Sequence, residues 1–285
     1  MCYKNKKVGF MKFKGCLRIK VNFIVLTFCI LSFLEINNIH ANDNQLQIHF
    51  LNVPNADASI IKLPDDTIIM IDAGYEKDGA MILNYLHQLR VSRIDTIIVT
   101  HSHKNHYGGF IPIIKQVPVN RVFVNGDGIT NTDYQRLINE VRKKKIPIQT
   151  LRQGDVLNYL PKEISLEVLH PKALSGNINN DSMVINFMYK DIEVLFTSDI
   201  GMKIQDELLV LFGDIRTVDC IKSPWHGREM GEFFTQVMAD KIFIVPAGSN
   251  TFDDGAYKAI KGKIINLFEV GTTVLNSNGE TISFN

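Results

Sequence analysis

The sequence is poor in cysteine and tryptophan, and neither charge is in excess. It has four cysteines and one tryptophan among 285 residues, with a formal net charge of +1. Three of the cysteines precede residue 30, so the rest of the chain contains only Cys220. An intramolecular disulfide is therefore excluded beyond that point. We predict that Cys220, which lies in an apolar run, is a buried strand residue.

The sequence also lacks repeats, low-complexity tracts and long linkers between residues 45 and 285. Apolar residues make up 45% of the chain and charged residues 21%. This composition excludes a disordered chain and is sufficient for a hydrophobic core. We expect one domain over this range.

The first 41 residues differ in kind from the rest. Seven lysine and arginine residues precede an apolar run from Val21 to about Ile36, and Ile39-His40-Ala41 follows as a cleavage site. This order is typical of a secretory signal peptide, and the run is shorter than the about 20 apolar residues of a membrane helix. We predict a signal peptide at residues 1–41 and a secreted or extracytoplasmic domain at residues 42–285. An uncleaved membrane anchor is the alternative.

Cleavage of this segment would change the charge balance. It carries seven basic residues and one acidic residue, so 24 basic and 29 acidic residues would remain. A mature chain of this kind has no global basic character for sequence-independent nucleic-acid binding. The local run Arg142-Lys143-Lys144-Lys145 is interpreted as a solvated helix end rather than as an anion-binding patch.

Short apolar and β-branched runs, bounded by turn residues, predict strands in both halves of the chain. The predicted strands cover residues 46–52, 58–63, 67–71, 95–100, 164–169, 183–189, 192–197, 218–221, 241–245, 272–275 and 281–284. Apolar residues at helical spacing predict helices at 78–89, 133–144, 204–212, 232–238 and 256–268. Two strand-rich halves with flanking helices indicate an α/β (α+β) fold of two sheets packed face to face and covered by helices.

The stretch THSHKNHYGG, residues 100–109, contains the strongest functional signal. Residues two apart at a strand end point to the same side, so His101 and His103 can bind one metal ion. His106 lies where the chain turns and can face a neighbouring metal position. Imidazole suits Zn²⁺ and similar metals. A lone histidine is usually structural, but three at this spacing predict a metal site.

Four further candidate residues follow predicted strands. They are Asp72, His170, Asp199 and His226. Each taken alone has an ordinary structural role, such as a turn aspartate or a loop histidine. Collected at strand ends of one two-sheet scaffold, they predict a single site.

In their order and spacing these motifs resemble the metallo-β-lactamase superfamily. The motifs are IDAG (71–74), THSHKNHYGG (100–109), LHP (169–171), TSDIG (197–201) and WHG (225–227). IHFLNVPNADASII (48–61), NNDSMVINF (179–187) and NSNGETISF (276–284) are similar to the ComEC-like hydrolase branch, which includes stand-alone secreted relatives. The resemblance covers about residues 46–285 and implies a four-layer αββα sandwich in a single domain.

The resemblance also implies a division of roles among the candidate residues. The first metal would be bound by His101, His103 and His170, the second by His106 and His226 with Asn105 at a further ligand position, and Asp199 would bridge the two. Asp72 would orient a ligand histidine. The implied reaction is hydrolysis by metal-activated water, with one or two Zn²⁺ ions or Mn²⁺ as the cofactor. The implied substrate is a small-molecule, nucleotide or nucleic-acid phosphodiester. β-Lactam or lactone hydrolysis is a weaker reading.

The site departs from the family pattern at several positions. Asn105 stands where the family has a ligand aspartate, and Lys104 adds a positive charge beside it. Trp225-His226-Gly227-Arg228 replaces a His-His-Gly-Ser motif, and residues 251–254 and 54–56 also differ. The first metal position therefore looks intact and the second weakened. A mononuclear hydrolase and a catalytically degenerate binding protein both remain open, and in either one Trp225 and Arg228 could contact an anionic ligand.

Overall fold

The computed structural model describes residues 45–128, 131–248 and 254–285. The predicted signal segment and residues 251–253 of the altered motif lie outside the described residues. The strands are β1 Leu46–Phe50, β2 Ala58–Lys62, β3 Ile68–Ala73, β4 Thr96–Val99, β5 Val122–Val124, β6 Ile148–Thr150, β7 Ile164–His170, β8 Val184–Tyr189, β9 Ile192–Phe196, β10 Cys220–Lys222, β11 Ile242–Val245, β12 Ile264–Asn266, β13 Thr273–Ser277 and β14 Ile282–Phe284.

The helices lie between these strands. They are α1 Gly79–Gln88, α2 Lys104–Tyr107, α3 Phe110–Gln116, α4 Thr132–Lys143, α5 Met202–Leu211, α6 Glu232–Val237, α7 Asp254–Tyr257 and α8 Leu267–Val270. Within the described part of the chain, no helix has the length and apolar character needed to cross a membrane.

Two sheets face each other across a shared core. The first has eight strands in the order β14-β13-β1-β2-β3-β4-β5-β6, and the second has six in the order β12-β11-β10-β9-β8-β7. Inward-facing residues of both sheets, such as Phe50 and Phe187, form the central hydrophobic cluster. A second cluster covers the outer face of the first sheet with α1, α3 and α4. A third covers the second sheet with α5 and α6. The αββα fold class is confirmed.

The predicted helix at residues 256–268 is wrong. The structure has the short helix α7, then strand β12, then the short helix α8. Gly262 explains the break, because a Cβ there would lie 2.0 Å from the carbonyl oxygen of Lys241. Its backbone N–H donates to the carbonyl of Ala239, so the chain runs tightly along β11 and β12 pairs with it in parallel. Apolar spacing alone could not reveal this approach.

Candidate metal centre

The candidate residues gather at one end of the two sheets. In the first sheet, β3 carries Asp72 next to its end and β4 runs into Thr100. In the second sheet, Asp199 follows β9 and Lys222 ends β10. Asp57 immediately precedes β2, which runs antiparallel to β3. Because parallel strands present their carboxyl ends at the same edge, their loops build one site there.

The backbone is strained at this edge. Among the described residues, nine non-glycine residues have positive φ, and the centre includes Asp72 at 56°, Ser198 at 48° and His226 at 54°. Trp225, beside His226, has a φ of 43°. Such conformations cost about 1–3 kcal/mol each and persist only where the surroundings enforce them, which is common at functional sites. The fold holds these side chains in place at the expense of some stability.

Gly109, at the end of the histidine stretch, allows the loop to pack directly on β3. A Cβ at Gly109 would lie 1.9 Å from the carbonyl oxygen of Ala73. The N–H of Gly109 also donates to the carbonyl of Gly74. This close approach brings His106, three residues earlier, beside Asp72.

His101 and His103 form the first pair of the centre. Nε2 of His101 lies 3.1 Å from Nδ1 of His103 and 3.8 Å from Oδ2 of Asp199. On its other side, Nδ1 of His101 lies 3.1 Å from the hydroxyl of Thr100 and 3.4 Å from that of Ser198. His101 is buried, whereas His103 is partly exposed. His101 is thus backed by hydroxyl groups.

His106 and His226 form the second pair, and each is backed by a carboxylate. Nδ1 of His106 lies 2.7 Å from Oδ2 of Asp72, and Nδ1 of His226 lies 3.1 Å from Oδ1 of Asp57. Since a carboxylate only accepts hydrogen bonds, both Nδ1 atoms donate. In the neutral ring this leaves the Nε2 lone pairs pointing at Asp199, with Nε2–O distances of 3.3 Å in both cases.

These donors fit a divalent cation. A tetrahedral zinc site with bonds of about 2.0–2.1 Å places neighbouring ligand atoms about 3.3 Å apart. The nitrogens of the first pair are 3.1 Å apart, and each Nε2 of the second pair lies 3.3 Å from an oxygen of Asp199. Nε2 of His106 and Oδ1 of Asp199 are buried without a well-aligned hydrogen-bond partner. Two groups of the described residues bring their donor atoms within 4.8 Å of one another. They are Asp57, His106, Asp199 and His226, and His101, His103 and Asp199.

Electrostatics separate the two pairs. Burial lowers the pKa of His101 well below its ordinary value and also lowers the pKa of His103. Burial acts in the same direction on His106, but the negative charges of Asp199 and Asp72 outweigh it and raise its pKa to about 10. Asp199 and Asp57 likewise overcome burial and raise the pKa of His226. The imidazoles backed by carboxylates are therefore the more basic nitrogen donors.

The structure does not bring His170 to the centre. It belongs to neither group of candidate ligands among the described residues, and its Nε2 donates to the carbonyl of Asn180 at 2.7 Å. His170 lies instead in a separate cavity that Lys172 and Glu207 also line. The sequence placed it after a strand but could not say which way that edge strand, β7, presents its end.

The substituted residues of the histidine stretch have different surroundings. Nδ2 of Asn105 lies 2.9 Å from Nε2 of His226 and also donates to the carbonyl of Asn55 at 3.1 Å. Asn105 therefore lies beside the second pair. Lys104 is exposed and pairs with Asp133 at the start of α4, so its charge is directed away from the centre.

The altered late motif surrounds His226. Trp225 is partly exposed and Arg228 is exposed.

The basic run at residues 142–145 is also exposed, at the C-terminal end of α4, as the interpretation of a solvated helix end requires.

Sequence reasoning missed four residues that build the centre. Asp57 orients His226, Lys222 pairs with Asp57, and the hydroxyls of Thr100 and Ser198 back His101. Thr100 also donates its backbone N–H and its hydroxyl to Asp72, at 2.9 and 2.7 Å. The sequence offers one signal for Asp57, its position in the turn before β2 in a motif similar to the family's. For Lys222 it offers none.

A family model described as the metallo-beta-lactamase superfamily matches residues 51–222. ComE operon protein 3 of Bacillus subtilis (strain 168) is 25% identical over 173 residues, which are 60% of this chain and 22% of that protein. The matched region thus spans about a fifth of that relative.

Two solved structures have lower similarity. A proposed metal-dependent hydrolase from Parabacteroides distasonis aligns with 77% of this chain and 91% of its own, at a TM-score of 0.48 and 14% identity. A variant of the β-hydroxylase CmlA aligns with 62% of this chain and 34% of its own, at a TM-score of 0.41 and 15% identity.

Proposed function

Because the chain belongs to the metallo-beta-lactamase superfamily, we propose that it is a metal-dependent hydrolase of the ComEC-like type that cleaves phosphodiesters. The observation that carries this proposal is the position of Asp199. One of its oxygens lies 3.3 Å from His106 and the other 3.3 Å from His226, while His101 lies 3.8 Å away. A carboxylate placed between two histidine pairs can serve two metal ions at once.

The residues have distinct tasks in this proposal. His101 and His103 would hold a first metal, His106 and His226 a second, and Asp199 would contact both. Zn²⁺ suits this donor set and Mn²⁺ is the alternative. When bound, the metal would acidify a water molecule and polarise the scissile oxygen.

The supporting residues keep the ligand rings in the correct tautomer. Asp72 and Asp57 each accept a hydrogen bond from the Nδ1–H group of one histidine, so that Nε2 of that ring is left to face the metal. Thr100 holds Asp72 at the end of β4, because its backbone N–H donates to Oδ1 of Asp72 at 2.9 Å. Asp72 lies within β3, and Thr100 and Asp57 lie directly beside β4 and β2, so the sheets hold this support in place.

The substrate class and the location rest on similarity and on the N-terminal pattern. The match to ComE operon protein 3 and the motifs of the ComEC-like branch favour a phosphodiester, in a small molecule, a nucleotide or a nucleic acid. The basic and apolar pattern of residues 1–41 favours a secreted or extracytoplasmic location.

A second candidate function is a metal-binding relative that has lost hydrolysis. Asn105 favours it, because its amide lies 2.9 Å from the Nε2 atom of His226 that would face the second metal. The amide nitrogen also donates to the carbonyl of Asn55, which fixes the amide orientation. An N–H donor at this place competes with a cation for the same lone pair.

Metal content and hydrolysis of the full chain test both candidates. Elemental analysis after dialysis against Zn²⁺ or Mn²⁺ gives the stoichiometry, and bis(p-nitrophenyl) phosphate, p-nitrophenyl acetate and nitrocefin report phosphodiester, ester and lactam cleavage. We expect two metal ions per chain and selective phosphodiester cleavage that His103→Ala abolishes. Bound metal without hydrolysis supports the second candidate. A protein that binds no metal, or a His103→Ala variant with full activity, contradicts the enzyme assignment.

A further inference from the structure

Lys222 is a buried cation in the floor of the metal centre. It is 4% exposed and forms an ion pair with Oδ2 of Asp57. Among the described residues, Asp57 is the one acid with which it pairs. Lysine is almost never fully buried unless a partner compensates its charge. A buried pair at this place therefore calls for a specific role in the centre.

The backbone of Lys222 is fixed within the second sheet. It pairs with Phe196 of β9 and Ile244 of β11, and its carbonyl accepts a hydrogen bond from the Thr197 hydroxyl. The ammonium group consequently approaches the centre from a rigid strand end.

Asp57 divides its two oxygens between two partners. Oδ1 accepts from Nδ1 of His226 at 3.1 Å, and Oδ2 pairs with Lys222. Asp57 also belongs, with His106, Asp199 and His226, to the group of described residues whose donor atoms lie within 4.8 Å of one another, so a metal position is within its reach. With no cation on Oδ2, this carboxylate could turn toward a metal ion.

We propose that Lys222 is a positioning residue of the metal centre, which holds Asp57 against His226 and keeps that carboxylate from binding metal itself. Lys222 thus decides which of two tasks Asp57 performs. The resulting chain of contacts runs from Lys222 to Asp57, from Asp57 to His226, and from His226 to the metal. This inference rests on the metal centre of the proposed function and not on its substrate.

Replacement of Lys222 should weaken the second metal position through His226. Lys222→Met keeps the length of the side chain and removes the charge. Loss of a residue that orients a metal ligand typically costs 10–100-fold in metal affinity, and we expect a loss in this range. Asp57→Ala should cause a similar loss. Since both act through His226, the double variant should bind the second metal no more weakly than Asp57→Ala alone.

The test measures Zn²⁺ affinity of the full chain by competition with a chelator, for the wild type, both single variants and the double variant. Circular dichroism checks the fold of each. The double variant removes both buried charges together, so it keeps the test informative if a single variant misfolds. Lys62→Met is the matched control, because Lys62 pairs with Asp66 at the end of β2 that lies away from Asp57. The Zn²⁺ affinity of this variant should equal that of the wild type.

A second readout follows the proton on His226 directly. Long-range ¹H–¹⁵N spectra of the Zn²⁺-loaded, histidine-labelled protein should contain an Nδ1 proton that Lys222→Met loses or shifts and Lys62→Met retains. Wild-type affinity in Lys222→Met, or losses that multiply in the double variant, would overturn the inference while the metal centre stands. A wild type that binds no second metal would overturn the inference together with the proposed two-metal centre.

Discussion

The two histidine pairs of the centre differ in what holds them. His106 and His226 are backed by Asp72 and Asp57, whereas His101 is backed by hydroxyl groups and its neighbour His103 is partly exposed. Asn105, at the position where the family resemblance implies a ligand aspartate, lies beside the second pair, yet that pair has the more basic nitrogens.

Two of the negative charges of this centre, on Asp72 and Asp57, lie behind the second pair. Asp199 and Asp72, which raise the pKa of His106 to about 10, place negative charge on both sides of its ring, and this charge favours a cation there. The first pair has no carboxylate behind it, so it depends on Asp199 for negative charge. Three predictions test this difference, beginning with the residue that both pairs share, and a fourth concerns a buried histidine outside the centre.

Asp199→Asn should affect both pairs at once and have the largest effect. The amide removes the negative charge and one of the two acceptor oxygens between them. We expect both metals to be lost and phosphodiester hydrolysis to fall by about 10³-fold, or about 4 kcal/mol of transition-state stabilisation. Elemental analysis and steady-state kinetics measure this. A variant that keeps two metals would show that Asp199 is not needed to hold the metal at either pair.

Asp72→Asn should weaken the second pair more than an equivalent change weakens the first. The amide is a poorer acceptor for the Nδ1 proton of His106, so we expect a 10–100-fold loss of affinity there. The matched change in the first pair is Ser198→Ala, which removes a hydroxyl 3.4 Å from His101 and should cost less than about tenfold. Chelator competition measures both. Equal losses would break the distinction between carboxylate and hydroxyl support.

Asn105→Asp should tighten the second position. It replaces an amide donor beside His226 with an anionic acceptor, and we expect about tenfold stronger Zn²⁺ binding, equal to about 1.4 kcal/mol. Lys104→Ala is the control, since Lys104 is exposed and pairs with Asp133, and it should change the affinity little. Weaker binding in Asn105→Asp would indicate that the amide is tuned to this centre.

His49 extends the comparison to a buried histidine that has no carboxylate behind it. Its Nδ1 lies 2.9 Å from the Tyr85 hydroxyl, and burial, followed by the charge of Lys62, lowers its pKa to about 4. The unfolded chain, with an ordinary pKa of about 6.5, binds the proton first. The contribution of His49 to stability is thus complete above pH 6.5 and is lost as the pH falls toward 4.

We expect the free energy of unfolding to fall by about 1 kcal/mol between pH 6.5 and 5.5 through His49 alone. Denaturant titrations of the metal-free wild type and of His49→Phe at both pH values measure this share as the difference between the two proteins. An identical pH dependence in both would show that the burial of His49 does not govern its protonation.

The sequence predicted most elements of the fold, for a clear physical reason. Runs such as the one at β9 and the spacing along α4 signal their own structure, because strand and helix periods are local properties. Two parallel strands, Val122–Val124 and Ile148–Thr150, were missed since three residues are too few to display a period. The helix at 256–268 was wrong because Gly262 and the pairing of β12 with β11 depend on a distant strand.

The sequence by itself predicted the candidate metal cluster, because the spacing of His101, His103 and His106 is a local pattern that suits a metal site. It also predicted Asp199 and His226 as members by their places after strands, and the structure brings both into that cluster. Only the tertiary structure decided which groups support those ligands. Asp57 is 169 residues from His226 in the chain, and the packing of two sheets brings them together. It also kept His170 out of the centre, since the direction of a side chain at a strand end depends on what packs against it.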